Sequence, residues 1–285
     1  MSAVGDILGV PADRRGLLWL DSYEYGARLA GTTSHDLVRS VADTVMALFD
    51  TYRLLRPDVV AVPAGGFYDV EGAEPQPESD PVTVLRELWR TSPGPGTLRE
   101  VLDGIANLVG GASRVALVLP SPTRWLAMAG VGDPDEDMVD SVALYLAEHL
   151  RTFGDAPVAA VVVDEGGAKA DAAVVGDLYR SVLNVAEHFG WARGVAAGAP
   201  SDAVALLDTV DFVLLDDMDL DDALAQWQAG RPVGGGLSHE WWLTGGQIPD
   251  ELPPGTFGFG SVPCDVEPEA ILACVQRFRA ALGAA

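Results

Sequence analysis

The chain has 285 residues, 48% of them hydrophobic and 21% charged, which excludes a disordered polymer and leaves length for a substantial core. Asp and Glu outnumber Lys and Arg 42 to 18, for a formal charge of −24; such a surface repels polyanions and argues against nucleic acid or an anionic membrane as partner. Two cysteines cannot form a disulfide framework, and no stretch approaches the roughly 18 apolar residues of a membrane span. The start, MSAVGDILGVPADRR, has no basic segment ahead of a long apolar core, so a cytoplasmic protein is expected.

In chain order, an N-terminal extension (1–13) leads to a first strand candidate, GLLWLD (16–21). SHDLVRSVADTVMALFDTYRLL predicts one helix, with Ser34 as N-cap and Leu37, Val41, Val45, Leu48 and Tyr52 on one face. DVVAVP (58–63) is the second strand, and the segment 64–96, rich in Pro, Gly and acidic residues, is expected to be a long loop over one barrel end. The helical pattern GTLREVLDGIANLV precedes RVALVLP (114–120), EDMVDSVALYLAEHLRTF precedes PVAAVVVDE (157–165), and DLYRSVLNVAEHFG precedes WARGVAA (191–197). DFVLLDD (211–217), the helical DDALAQWQA, RPVGGGL (231–237) and GTFGFGS (255–261) follow. The last helix, EPEAILACVQRFRAAL, places Glu267 and Glu269 near its positive N-terminus and Cys274 in a core stripe with Ile271, Val275 and Phe278.

Eight short apolar runs, several of them β-branched and each followed by helix or loop, predict a single-domain (β/α)8 barrel. A doubly wound open sheet is the alternative, but no Gly-rich phosphate fingerprint follows the first strand, and GVAAGAP lacks the spacing.

Reactive groups of such barrels lie at the C-terminal strand ends. Asp164 and Glu165 follow the strongest strand; crowded carboxylates there serve as acid, base or cation ligand, or else cap a solvated loop. Asp216 is placed to point into the barrel, whereas Asp217 and Asp219 also fit helix caps. His239 is the one histidine in a candidate top loop and offers a proton shuttle or ligand. Trp241 and Trp242 beside it, with Tyr23 and Tyr68, suit walls of a substrate site, or equally a packed lid. Asp21 ends the first strand, and Arg124 after the third can anchor a carboxylate or phosphate, or pair with a neighbouring acid. Cys264 precedes the last helix; alone it is neither a zinc site nor a nucleophile with a base.

The ordered series DLVRSVADTVMALFDTYRLLRPDVVAVPAGGFYDVEGA, GTLREVLDGIANL with RVALVLPSPTRWLAMAG, DFVLLDD, RPVGGGLSHEWW and GSVPCDVEPEAI resembles a known superfamily over roughly residues 14 to 282. These are the (β/α)8 barrels that include uroporphyrinogen decarboxylase, cobalamin- or coenzyme M-linked methyltransferases and cobalamin-independent methionine synthase. The resemblance implies a zinc that activates a thiol for methylation, with Asp216 at the acidic ligand position and Cys264 at the final cysteine. The family's His-x-Cys pair falls at about Val195 to Ala197, where neither ligand type stands, so His239 or Glu165 would have to complete the site. The decarboxylase branch has an N-terminal arginine-rich motif; RGLLWLDSYEYGARLAG keeps Asp21 and Arg28 but not that motif.

The expectation is a small-molecule enzyme transferring a methyl group with a thiol or corrinoid-protein partner. Asp164, Glu165, Asp216 and His239 are its expected catalytic groups, and Cys264 with Asp216 a partial zinc site. A metal-free decarboxylase or lyase on a small carboxylate is the alternative, as is a catalytically silent barrel serving as a binding subunit of a related enzyme.

Overall fold

The computed structural model describes residues 16–68, 80–198, 203–245 and 248–283. The expected extension over 1–13 and the middle of the expected loop (69–79) lie outside them.

All eight expected strands form, shorter than their apolar runs by up to three residues at either end. They are β1 (Gly16–Asp21), β2 (Val60–Pro63), β3 (Val115–Pro120), β4 (Ala160–Asp164), β5 (Ala192–Ala197), β6 (Phe212–Leu215), β7 (Val233–Gly236) and β8 (Thr256–Ser261). Every pairing is parallel, and the order β1-β8-β7-β6-β5-β4-β3-β2 brings β2 back beside β1, where the backbone bridge Trp19–Val59 joins them. Helices lie between the strands, so the chain is a nearly closed (β/α)8 barrel. Apolar β-branched runs suit these strands because both faces are buried, one in the barrel and one under helices.

Two aspartates extend the strand pairing below β2 and β6. The Asp58 N–H donates to the Leu18 carbonyl (2.8 Å), and the Asp58 carboxylate accepts the Leu18 N–H (2.9 Å). Asp211 repeats this against Arg193, at 2.9 Å from its N–H and 2.8 Å to its Oδ2. Each carboxylate acts as an extra ladder acceptor where the strand has not yet begun.

Side chains alternate inward and outward with period two. Inside, Trp19, Phe212 and Phe257 meet with centroids 5.7–6.4 Å apart. Gly194 on β5 is bare because the Phe212 ring occupies the place of a Cβ. On the outer side of β8, Gly258 leaves room for Phe278 of the last helix, Pro268–Ala281.

Two expectations are corrected. The helix predicted from Ser34 is two helices, Ser34–Leu37 and Val41–Leu55, capped by Thr33 and Ser40. Ser40 accepts the Asp43 N–H and Thr44 Oγ1 donates to the Leu37 carbonyl at 2.7 Å, so local polar groups compete with a continuous ladder. The expected loop 64–96 contains the helix Pro81–Thr91, for which Asp80 is the N-cap and Pro81 the first-turn proline, with Val82, Leu85 and Trp89 buried. Composition hid a cap signal.

That helix covers His149, which is 8% exposed, accepts from Tyr68 Oη at 2.5 Å and stacks on Trp89. Burial pushes the His149 pKa down to about 4. The unfolded chain therefore takes up a proton here below about pH 6.5 while the fold does not. Stability is lost as pH falls from 6.5 towards 4, by roughly 3 kcal/mol. Denaturant titrations at pH 6.5 and 4.5 are expected to show this loss in the natural protein and a smaller one in His149→Gln. Asp58→Ala is expected to cost about 1–3 kcal/mol, since it strands the buried Leu18 amide, and Asp58→Asn less; urea unfolding at pH 7 measures both.

Candidate active site

The C-terminal mouth of the barrel holds a cavity of about 300 Å³. Strand periodicity builds it. Trp19, Val162, Leu214 and Phe259 point inward and form its floor, and two residues further along the same strands Asp21, Asp164, Asp216 and Ser261 form its wall. Register ties these together, with Asp21 opposite Ser261 and Trp19 opposite Phe259. Asp217 and Arg124 complete the charged lining.

Arg124 is held by three constraints. Ser121, fully buried, ends the turn after β3 and accepts the Arg124 N–H (3.0 Å), so the helix Pro122–Met128 starts there. The guanidinium Nη1 pairs with Asp164 Oδ2, while Asp164 Oδ1 accepts the Gly166 N–H at 2.8 Å. Gly166 has φ +64°, and a Cβ there would lie 2.8 Å from Arg124 Nε, so glycine is required twice over.

Glu165 turns away from the cavity. It accepts from Ser121 Oγ (2.8 Å) and bonds Tyr179, whose hydroxyl lies 2.9 Å from Thr123 Oγ1. Burial raises the Glu165 pKa more than the Ser121 and Tyr179 bonds lower it. This carboxyl braces the turn that carries Arg124 rather than facing the mouth. Tyr179 has no sequence signal beyond its place at a helix start.

Asp21 and Asp216 are the perturbed acids of the mouth. Asp21 is open to the water of the cavity by area, yet protein surrounds it at longer range. That enclosure pushes its pKa up to about 6, against the Tyr23 N–H and with help from Asp216, Asp164 and Glu24. Asp216 is pushed up by burial, pulled back by Ser261, whose N–H it accepts at 2.7 Å, and pushed up by Asp217 and Asp164.

Several expected site residues are not brought to this cavity. The Tyr23 hydroxyl reaches the Ser34 carbonyl (3.4 Å) and Tyr68 is bound to His149. Trp241 and Trp242 are buried, edge to face with each other, and Trp241 packs on Phe278. The aromatic floor is Trp19 and Phe259 instead, recognisable in hindsight as the inward positions two residues before Asp21 and Ser261. His239 lies 3.6 Å from Asp265 with 57% of its side chain exposed. Cys264 is exposed; partial burial raises its pKa first, then Glu24 and Asp265, against Arg28. None of these groups touches Asp216, and among the described residues no three His, Cys, Asp or Glu side chains converge to hold a metal ion. The residues present do not fit the zinc centre that the resemblance implies.

Compared with known protein families and curated proteins, the chain matches no family model and no curated protein. Among the described residues, no helix is long and apolar enough to cross a membrane.

Gly166→Ala is expected to cost about 1–2 kcal/mol from its left-handed backbone plus a further amount from collision with Arg124. In an Arg124→Ala background only the backbone part remains, a coupling that a double-mutant cycle of urea midpoints detects.

Proposed function

We propose that this barrel is a small-molecule enzyme working by metal-free proton transfer at its mouth, in the manner of a lyase or decarboxylase. The observation that carries the reading is Asp21, a carboxyl open to the cavity with its pKa pushed up to about 6 and with Asp216 and Asp164 beside it. Such a group exchanges a proton readily near neutral pH, as a general acid or base requires. Burial is the main reason Asp21 is basic, the like charge of Asp216 adds to it, and Asp216 itself is held by the Ser261 N–H. The Arg124–Asp164 pair frames the opposite wall, while Trp19 and Phe259 exclude water from below.

The resemblance to the superfamily of uroporphyrinogen decarboxylase and methionine synthase supports this reading in reaction class, through its lyase branch, while the acidic lining departs from that branch's carboxylate-rich substrate. Methyl transfer with a thiol or corrinoid partner is the second reading. One observation favours it: Asp216, at the acidic position of that pattern, lines the cavity. Against it, Cys264 has no part in the lining. A silent barrel acting as a binding subunit has no use for a strongly perturbed acid in an open cavity.

Carbon-13 titration of the Asp21 carboxyl is expected to show a midpoint near 6 that disappears in Asp21→Asn. On any substrate that the natural protein turns over in a mass-spectrometric screen of small metabolites, Asp21→Asn is expected to lose about 10²–10⁴-fold in rate. The folded pKa lies above the unfolded one, so the ionised carboxyl opposes folding as pH rises through 4 to 6. The variant is therefore expected to melt no lower than the natural protein at pH 7. An Asp21 midpoint below 4.5, or full turnover by the variant, overturns the reading.

A further inference from the structure

We infer that the mouth takes a small organic cation, an ammonium or guanidinium compound, held between the carboxylates of Asp21 and Asp216 over an apolar floor. This names the substrate class of the active site and rests on that reading of the cavity.

The charges of the lining are unequal. Four carboxylates, Asp21, Asp164, Asp216 and Asp217, face the cavity with one guanidinium, Arg124. That guanidinium pairs with Asp164, the Ser121 cap fixes the backbone from which it reaches, and bare Gly166 leaves it room. The Asp21 and Asp216 side of the mouth therefore keeps its negative charge. An anionic substrate would meet three unneutralised acids and would have to take Arg124 away from a fourth.

The floor is a second feature, independent of the acids. Trp19 and Phe259 lie under them, with Val118, Val162 and Leu214 around the rings. The two rings are themselves buried, so the floor contributes apolar contact, and an apolar floor below carboxylates suits an organic cation with an apolar body. A bare metal ion gains little from such a floor, and no three-ligand group converges for one among the described residues. A cavity of about 300 Å³ has room for a molecule of choline's size, at the lower end of small-ligand sites. The −24 charge of the chain also raises the local concentration of cations.

Binding is coupled to protons. Asp21 faces the Tyr23 amide and Glu24 from the helix after β1, Asp216 from β6 and Asp164 from β4. A cation placed between Asp21 and Asp216 favours their ionised forms, so binding near pH 6 releases a proton and leaves Asp21 as a base.

Calorimetry on the full chain tests this with three compounds of one shape: choline, the neutral 3,3-dimethylbutan-1-ol and the anion 3,3-dimethylbutanoate. Choline is expected to bind at least tenfold tighter than the alcohol, with the anion weakest. At pH 6 its binding heat should vary with buffer ionisation enthalpy in the sense of proton release. Asp21→Asn and Asp216→Asn, both isosteric, are expected to lose tenfold or more in choline affinity. Binding of the alcohol or the anion as tightly as choline, or no choline binding at millimolar concentration, overturns the inference; the comparison is made on the natural protein and needs no variant to fold. Titration of Asp21 in the ligand-free protein separates the two readings. A midpoint near 6 without choline preference sinks the cation alone, whereas choline preference with an ordinary midpoint sinks the proton carrier and leaves the cation standing.

Discussion

The ring closes between β1 and β2, where the ladder is thinnest. One backbone bridge, Trp19 to Val59, joins the two strands, and Asp58 adds a reciprocal pair of hydrogen bonds to Leu18 just below it. Trp19 is also part of the cavity floor, and Asp21 of its wall. The residues that close the barrel, Leu18 and Trp19, and those that shape the mouth, Trp19 and Asp21, thus lie within four consecutive positions of β1. Any slip of that strand by one residue would turn Asp21 out of the cavity and bury Leu20 in it, because successive side chains face opposite ways.

Closure also explains why acids so widely separated in sequence affect one another. Asp21, Asp164 and Asp216 end three different strands, and a closed parallel sheet sends all strand ends to one rim. Their mutual repulsion is partly relieved where Arg124 pairs with Asp164 and by the Tyr23 and Ser261 N–H groups on Asp21 and Asp216. The brace behind Arg124, running through Ser121, Glu165, Tyr179 and Thr123, has no direct part in lining the cavity. Its effect is to fix the backbone from which Arg124 reaches Asp164, so that the remaining negative charge lies on the far wall. Rigid placement of charge is what a site needs if it is to favour one charge distribution over another.

The C-terminal side of the barrel carries a separate cluster. Helix His239–Thr244 buries Trp241 against Phe278 of the last helix and Trp242 edge to face beside it, while His239 and Cys264 stay at the surface. Adjacent residues of one short helix therefore divide between packing and solvent. A motif such as SHEWW looks like a site when read as a string, since every residue type in it has chemistry. In the fold, helical period sends the two indoles inward and leaves the imidazole beside Asp265.

Apolar runs and their spacing determined the eight strands, since a strand buried on both faces must be apolar wherever the sheet places it, and most of the longer helices, though not the break after Leu37 or the helix Pro81–Thr91. Position at a strand end likewise marked Asp21, Asp164 and Asp216, because period two fixes which end residues face the barrel axis; Arg124 was marked only as following the third strand and lies in the helix Pro122–Met128. Only the tertiary structure decided what those residues meet. Glu165 follows Asp164 in sequence yet faces Ser121 and Tyr179 instead of the mouth, and Trp19, two residues before Asp21 inside an apolar run, forms the floor. Cys264 and Asp216 both follow strand ends but have different neighbours. Local pattern sets the direction of a side chain along its own element; partners, burial and proton affinity come from elements brought alongside by ring closure, and no spacing along the chain encodes those distances.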